Sequence, residues 1–369
     1  MRVLVTGGAG FIGSHLVTRL LERGDSVVVL DSLDAQVHQG GALDLPSDAH
    51  LIHGNVADAA LVDRALAGVD AVVHLAATVG VGQSMYEIAR YVRENTMATA
   101  VFLEQLVGRA ERPRRLVVAS SMSIYGEGEY DCVEHGPVAP LPRREGRLLE
   151  RRWEALCPSC GRDVVPVGTR ETKSLIPTSI YAITKRDHEE LCLVTGAAYS
   201  IPTVALRFFN VYGPGQSLCN PYTGVAAIFA SRLLNGRPPV IFEDGCQSRD
   251  FVHVSDIVSG ILLALERDEA VGHALNLGTG RPTTVATVAE LLGKGLGVDV
   301  EPELRGEYRV GDIRHCYADA RRASELLGFH ASVSLEDGML DLVQWLADQD
   351  AVDRVETATR ELAIRGLTR

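Results

Sequence analysis

Two hydroxyl-bearing motifs in this chain could together transfer protons. Tyr181 and Lys185 are four residues apart, a spacing that places two side chains on one face of a helix. A phenol titrates near 10, and lowering its pKa by ~3 units requires ~4 kcal/mol of preferential stabilisation of the phenolate. A lysine ammonium could supply part of that stabilisation. The same spacing is also common on ordinary surface helices, so the pair needs support from other motifs.

A serine-rich stretch provides the second motif. Ser120, Ser121 and Ser123 follow the apolar run 116–119, where hydroxyl groups would lie at the C-terminal edge of a sheet. Serines at such positions also serve as simple caps of turns or helices. Together with Tyr181 and Lys185, Ser121 completes a candidate catalytic set.

A glycine-rich turn joins the first apolar run to a segment with helical spacing. Gly7 allows a tight turn, Gly10 lets a pyrophosphate approach backbone N–H groups, and Gly13 lets the helix pack closely on the strand. This pattern alone would also fit a merely tight turn. Asp31, at the end of the next strand, could accept hydrogen bonds from an adenosine ribose and would repel a 2′-phosphate. We therefore expect NAD rather than NADP as the cofactor.

The oxidised nicotinamide ring of NAD would add a second positive charge beside Tyr181. Asn55 and Val56 follow the third strand and are candidates to contact the adenine, although Asn55 could equally be a turn residue. The remaining candidate cofactor contacts lie in the glycine turn, after the fourth strand and in the catalytic motif: Phe11, Ile12, Leu75, Ala76, Ala77, Tyr181 and Lys185.

Strand-like and helix-like patterns alternate through the first half of the chain. The alternation predicts an α/β fold with a doubly wound parallel Rossmann sheet and a smaller C-terminal substrate-binding lobe. We expect an NAD-binding domain over 1–209 with an insertion at about 127–177. The lobe spans 210–346, with some strands returning to the sheet, and 347–369 forms a C-terminal tail.

Composition limits the classes of protein. The chain has 369 residues, 46% hydrophobic and 23% charged, without a run of ~20 apolar residues, which argues against disordered and membrane-spanning proteins. A formal net charge of -12 disfavours nucleic acid as a partner. No signal-peptide pattern is recognised at the N-terminus, so a cytoplasmic location is expected. Seven scattered cysteines do not suggest a disulfide framework.

Four residues of the insertion have the spacing of metal ligands. Cys132-x-x-His135 and Cys157-x-x-Cys160 could close a tetrahedral structural zinc site. The alternatives are a reduced pair without metal or a redox dithiol. The remaining cysteines, Cys192, Cys219, Cys246 and Cys316, are expected to be apolar packing residues.

The sequence resembles the extended short-chain dehydrogenase/reductase family, specifically its nucleotide-sugar epimerases, and within them the bacterial dTDP-L-rhamnose 4-epimerases. The resemblance extends to about residue 346 and is carried by the stretches 79–88, 119–128, 206–214 and 220–224. It implies that Tyr181, assisted by Ser121 and Lys185, removes the sugar C4 hydroxyl proton while hydride passes to NAD. The 4-keto sugar then turns over, and the hydride returns to its opposite face.

The resemblance also implies partners. Substrate contacts fall on Ser121, Ser123, Asn210, Arg249 and Arg309, with Asn210 and the two arginines on the diphosphate. Arg249 could instead form an ion pair with Asp250 or Asp256. Arg305 and Arg314 lie near Arg309 in the sequence and could bind the diphosphate in its place. The substrate would be a dTDP- or UDP-sugar. A homodimer would form through helices near 87–107 and 179–198.

Two other functions remain open. Related dehydratases and decarboxylases carry acidic residues directly after the catalytic serine or threonine, whereas this chain has Met122 and Ser123. A non-catalytic dinucleotide-sensing protein could share the fold, but it would have no need for the full catalytic set. Val79 replaces a lysine of UDP-galactose 4-epimerase, which argues against UDP-galactose as the substrate.

Overall fold

The computed structural model of the protein describes residues 1–38, 45–298 and 300–369. Its strands, in chain order, are β1 (Arg2–Thr6), β2 (Ser26–Asp31), β3 (His50–His53), β4 (Ala71–His74), β5 (Arg115–Ser121), β6 (Glu129–Cys132), β7 (Gly136–Val138), β8 (Val165–Val167), β9 (Thr203–Phe208), β10 (Asn210–Tyr212), β11 (Val240–Ile241), β12 (Ser248–Arg249), β13 (Phe251–His253), β14 (Ala274–Leu277), β15 (Thr283–Thr284), β16 (Glu303–Leu304) and β17 (His315–Cys316).

The helices alternate with these strands. They are α1 (Phe11–Glu22), α2 (Ala35–His38), α3 (Ala59–Ala65), α4 (Val81–Ser84), α5 (Ile88–Tyr91), α6 (Ala98–Gly108), α7 (Glu145–Leu149), α8 (Ile180–Tyr199), α9 (Val225–Leu234), α10 (Val254–Glu266), α11 (Val285–Leu296), α12 (Arg321–Leu327), α13 (Leu335–Leu346) and α14 (Val355–Ile364). A π-helical stretch, Val92–Met97, joins α5 to α6. None of the described helices is long and apolar enough to cross a membrane.

The central sheet confirms the predicted fold class. Seven parallel strands lie in the order β14-β9-β5-β4-β1-β2-β3. The chain builds outward from β1 in one direction, through β2 and β3, and then continues from β4 in the other. Ligands of such sheets bind where this order reverses, outside the carboxyl ends of the strands. The position next to β1 and β4 is therefore where a cofactor is expected.

Both faces of the sheet are covered, which explains its nearly all-apolar strands. Val3 and Val5 belong to a core with residues of α1 and α10. Leu4, which points to the other face, packs with residues of α3, α6 and α8. All three side chains are fully buried. Successive side chains of β1 therefore pack against helices on opposite faces of the sheet.

The insertion forms a small sheet of its own. Strand β6 pairs in antiparallel fashion with both β7 and β8. Five buried residues form its core: Tyr130, Cys132, Ala155, Cys157 and Val164. The predicted limits of the insertion and of the other domains remain predictions.

The C-terminal part of the chain builds a second region and also returns to the first. Helices α9, α11 and α13 share a core that includes Phe229, Leu292 and Leu342. Strand β14 instead pairs with β9 at the edge of the central sheet. In the tail, the guanidinium of Arg365 in the turn after α14 lies over the Tyr86 ring. Tail residues thus contact the segment that follows β4.

Candidate active site

One large cavity of about 1150 Å³ opens at the carboxyl ends of β1, β4 and β5. It brings together most of the residues that the sequence indicated. Those that line it are Gly7, Gly10, Phe11, Ile12, Gly13, Asp31, Asn55, Val56, Leu75, Ala76, Ala77, Ser121, Ser123, Tyr181, Lys185 and Asn210.

The glycine turn is built to lack side chains. Gly7 has φ +70°, in the left-handed region that favours glycine. A Cβ atom at Gly13 would lie 2.3 Å from the carbonyl oxygen of Gly7 and 2.6 Å from the Cα of Gly8. Helix α1 begins directly after Gly10, and its first residues line the cavity. The free backbone N–H groups at the start of the helix therefore face the cavity. This arrangement fits a pyrophosphate group at the N-terminus of α1.

Asp31 and Asn55, two of the predicted cofactor contacts, both line the cavity. The Asp31 carboxylate accepts hydrogen bonds from the backbone N–H groups of Ala9, at 3.0 Å, and Leu33, at 2.9 Å, which fixes its orientation. Asn55 accepts a hydrogen bond from the N–H of Ala57 at 2.8 Å, as a turn residue does, and also lines the cavity. The turn role and the predicted contact role are therefore compatible.

Ser121 ends β5 and caps the short helical turn that follows. Its Oγ accepts a hydrogen bond from the backbone N–H of Ser123 at 3.2 Å and another from the Ser123 hydroxyl at 2.9 Å. Both lone-pair directions of Ser121 are thereby engaged, which leaves its own proton free to be donated. Ser123 therefore orients the predicted catalytic hydroxyl.

Helix α8 carries the other two catalytic candidates. Ser179 caps its N-terminus by accepting a hydrogen bond from Ala182, and Ser84 accepts one from the backbone N–H of Tyr181. Tyr181 is 9% exposed and Lys185 is 3% exposed. The Lys185 ammonium donates a hydrogen bond to the carbonyl oxygen of Ala119 on β5. The helix is thus tied to the strand that bears Ser121.

Burial sets the electrostatics of the pair. It raises the pKa of Tyr181 to about 12, against the lowering effect of a hydrogen bond with Ser121. It lowers the pKa of Lys185 to about 8. Ionising the phenol at neutral pH therefore requires about 7 kcal/mol of stabilisation. An additional positive charge in the cavity is what this site needs, and an oxidised nicotinamide would provide one.

The two predicted diphosphate-binding arginines do not line this cavity. Arg249 donates hydrogen bonds to the carbonyl oxygens of Ser248, Arg314 and Ile313. Arg309 pairs with Asp312. The suggested pairing of Arg249 with Asp250 does not form. The Asp250 carboxylate instead accepts hydrogen bonds from the backbone N–H groups of Thr279, Gly280 and Ala318 and from the Thr279 hydroxyl. The role of both arginines in substrate binding stays a prediction.

Asn210 differs from the arginines because it faces the cavity. Its side-chain oxygen is buried and has no hydrogen-bond partner among the residues that the structure describes. An unpaired buried carbonyl oxygen is costly. Asn210 is therefore a predicted substrate contact whose side-chain oxygen could accept a hydrogen bond from a ligand.

Several further residues of the cavity wall were not among the predicted contacts. Asn220, Tyr222 and Gly224 line the cavity, and the Asn220 side chain accepts a hydrogen bond from the Tyr222 backbone. The Asn220-Pro-Tyr-Thr-Gly224 stretch, already one of the four that carry the resemblance, was the signal that could have found them. Asn95, which is fully buried and does not line the cavity, donates hydrogen bonds to the carbonyl oxygen of Thr78 on the wall and to the hydroxyl of Thr184. No sequence spacing links those three residues.

Comparison with known proteins identifies the family of this chain. The model of the NAD dependent epimerase/dehydratase family matches residues 3–145 and 160–278. The chain belongs to this family. Its name covers both epimerases and dehydratases, so membership alone does not separate the two reactions. The match leaves out 146–159, within the predicted insertion.

Three members of the family illustrate the range of relatives. A dTDP-L-rhamnose 4-epimerase of Burkholderia thailandensis is 33% identical over 94% of this chain and 95% of its own. A UDP-glucose 4-epimerase of Thermotoga maritima, solved with UDP-glucose, is 32% identical, with a TM-score of 0.78 over 94% of this chain and 99% of its own. A Bacillus cereus UDP-glucuronic acid 4-epimerase, solved with UDP-glucuronic acid and NAD, is 28% identical, with a TM-score of 0.75 over 94% and 99%.

Proposed function

We propose that this protein is an NAD-dependent 4-epimerase of a nucleoside-diphosphate sugar, acting through a transient 4-keto sugar. The observation that carries the proposal is the convergence of Ser121, Tyr181 and Lys185 on the cavity that also holds the glycine turn and Asp31. Its volume, about 1150 Å³, exceeds the ~300–1,000 Å³ of ordinary ligand pockets. It therefore suits a dinucleotide together with a sugar nucleotide.

The residues present fit NAD. The glycine turn would hold the pyrophosphate, Asp31 would accept hydrogen bonds from the ribose hydroxyls, and Tyr181 and Lys185, which line the same cavity, would lie beside the nicotinamide. NAD, when bound, accepts hydride from the sugar C4 and returns it. Asp31 would repel a 2′-phosphate, which supports NAD over NADP.

The proton-transfer steps fall on the chain's own residues. Tyr181 takes the proton of the C4 hydroxyl as the carbonyl forms and gives it back to the epimeric alkoxide. Ser121, oriented by Ser123, hydrogen-bonds the same oxygen and shares the proton with Tyr181. Lys185 stabilises the phenolate as a buried cation held by Ala119. Regeneration of the cofactor in each turnover makes the reaction an isomerisation.

The residues after Ser121 favour epimerisation over dehydration. An elimination needs a further acid–base pair close to the sugar. Met122 and Ser123 stand directly after Ser121 and supply no carboxyl group. The carboxylates that line the cavity are instead Asp31, Asp34, Glu94 and Asp350. None of them belongs to β5, to the turn after it or to α8.

We propose dTDP-L-rhamnose as the first substrate to test, with related dTDP- and UDP-hexoses next. Similarity to the Burkholderia thailandensis dTDP-L-rhamnose 4-epimerase over nearly the whole chain supports this order. Val79, at the cavity wall, offers no charge to a substrate, which argues against UDP-galactose.

The test is an NMR assay of purified protein with dTDP-L-rhamnose, UDP-glucose and UDP-glucuronate, with absorbance recorded for net NADH. We expect a C4 epimer of one substrate, no net NADH, and loss of turnover in Tyr181→Phe. Tyr199→Phe, at the other end of α8 and 45% exposed, is the matched control and should retain activity. Loss of water or carbon dioxide would assign a dehydratase or decarboxylase. Absence of any turnover would favour a dinucleotide-sensing role.

We also propose that the protein forms a homodimer through α8 and the α5–α6 segment. Val92, Met97, Ile183 and Val194 expose 42%, 56%, 42% and 68% of their surface, although they are apolar. Thr96 donates a hydrogen bond to Asp187, which holds the two helical segments side by side. Two such pairs would form a four-helix interface. Sedimentation of the full chain and of Val194→Asp tests this, because the charged variant should be monomeric.

A further inference from the structure

A cluster of four potential metal ligands lies in the insertion, outside the cavity. The Sγ of Cys132 is 3.6 Å from the Nδ1 of His135 and 3.7 Å from the Sγ of Cys160. The Sγ of Cys157 is 3.7 Å from the same Nδ1. All four ligand atoms lie within 4.8 Å of one another.

We propose that Cys132, His135, Cys157 and Cys160 bind one zinc ion with tetrahedral geometry. Zn–S bonds of about 2.3 Å and Zn–N bonds of about 2.0 Å place the ligand atoms of a tetrahedron about 3.5 to 3.8 Å apart. The three contacts above have this spacing. A disulfide would instead require sulfurs about 2.05 Å apart, and all three cysteines are free.

The local backbone is shaped to present these ligands. Cys132 is the last residue of β6, and His135 lies in the turn to β7. Cys157 and Cys160 lie in a tight turn, in which the backbone N–H of Gly161 donates to the carbonyl oxygen of Cys157. Gly161 has φ +70°, which favours glycine at this point. The turn between β6 and β7 and the turn at Cys157 therefore bring the four ligand atoms together.

The hydrophobic core of the insertion explains why a metal is needed. Of its five buried residues, Cys132 and Cys157 are themselves ligands, which leaves Tyr130, Ala155 and Val164 as apolar packing. So small a core cannot by itself offset the conformational entropy of ordering the surrounding segment. Zinc coordination supplies folding free energy directly. The site is therefore structural.

The zinc site also has a consequence for neighbouring parts of the chain. Glu154, three residues before Cys157, forms an ion pair with Arg314 at 2.7 Å and a hydrogen bond with the Nε2 of His315 at 3.1 Å. The carbonyl oxygen of Arg314 in turn accepts a hydrogen bond from Arg249. A metal that orders the Cys157 turn thus fixes Glu154 against β17. Zinc would hold the insertion onto the C-terminal region.

The experiment is a zinc measurement by elemental analysis on the full-length protein and two variants. We expect one zinc per chain in the wild type and in Cys246→Ser, and much less in Cys160→Ser. Cys246 is exposed and lies outside the cluster, so it is a matched control. Its exposure also shows that the prediction of apolar packing was wrong for this cysteine. A wild-type chain without zinc, or with a disulfide between Cys157 and Cys160, would overturn the proposal.

A second measurement does not depend on the folding of a variant. Wild-type protein is stripped with a chelator and refilled with Co²⁺, whose tetrahedral thiolate complexes absorb strongly. We expect thiolate-to-cobalt bands at one equivalent and their bleaching by Zn²⁺. The same samples are then subjected to limited trypsin digestion. Arg152 and Arg162 are exposed on either side of the Cys157 turn, so trypsin can cleave after them. Cleavage there should accelerate on stripping and slow on refilling with zinc; unchanged cleavage would contradict the anchoring role.

Discussion

The Lys185 ammonium donates a hydrogen bond to the carbonyl oxygen of Ala119, two residues before Ser121 on β5. This bond links the helix that carries the candidate base to the strand that carries its hydroxyl partner. It also engages a fully buried cation, whose pKa burial lowers to about 8. The site therefore keeps a positive charge at a cost in stability, and that cost can be measured.

We expect Lys185→Met to abolish epimerisation and to stabilise the fold near pH 7. Because the pKa of Lys185 is about 8 in the folded protein, against an ordinary value of 10.5, the unfolded chain binds more protons between these values. The wild type should therefore gain up to about 3 kcal/mol relative to the variant as pH rises through this window. Urea unfolding of both proteins at pH 7 and above pH 9 measures the difference. A gap that widens with pH would contradict the expectation.

Gly13→Ala should disrupt the cofactor site. Its Cβ would lie 2.3 Å from the carbonyl oxygen of Gly7, so either α1 or the glycine turn must move. We expect affinity for NAD to fall by more than about tenfold, or at least ~1.4 kcal/mol. Calorimetric titration of cofactor-free protein checks this. Gly108→Ala, with no atom within 4 Å of its Cβ, should bind NAD like the wild type.

Asp31→Asn should weaken discrimination against NADP. The amide keeps one acceptor for the Ala9 backbone N–H but removes the charge that strengthens ribose hydrogen bonds and repels a 2′-phosphate. Loss of charge-assisted bonds worth about 1.5–3 kcal/mol predicts roughly ten- to hundredfold weaker NAD binding. The readout is the ratio of dissociation constants for NAD and NADP. A ratio unchanged from the wild type would remove Asp31 from the ribose site.

Arg207→Met should destabilise the fold strongly. Arg207 on β9 pairs with Glu189 on α8 at 2.5 Å, and both side chains are almost completely buried. Removing one partner leaves a buried charge uncompensated, which costs about 3–5 kcal/mol. Urea denaturation measures the loss. The double variant Arg207→Met with Glu189→Leu should recover much of it, whereas a double variant as unstable as the single one would point to packing instead.

The central fold followed from the sequence because its rules are local. Apolar runs covered on both faces, a glycine turn after β1 and helical spacing from Phe11 are all properties of neighbouring residues. The candidate catalytic set could also be proposed from the sequence, because Tyr181 and Lys185 share a helix face and Ser121 ends a strand. Parallel strands then bring such strand ends to one edge.

Arg249 and Arg309 show where the sequence was insufficient. Their types suited a diphosphate, but where they lie depends on chain segments that pack against them from elsewhere. Arg249 bonds to backbone oxygens near residue 314, and Arg309 bonds to Asp312. Asn95 likewise reaches Thr184, 89 residues away. No spacing rule predicts such meetings.

The sequence by itself therefore determined the order of strands and helices, the glycine turn and the identity of the groups that could transfer a proton. Tertiary structure alone decided which of those groups share a cavity and what burial does to their pKa values. It also decided that the ligand atoms of Cys132, His135, Cys157 and Cys160 lie within 4.8 Å of one another. The physical reason is that backbone periodicity and turn chemistry act between near neighbours, whereas burial and electrostatics depend on everything that packs around a group.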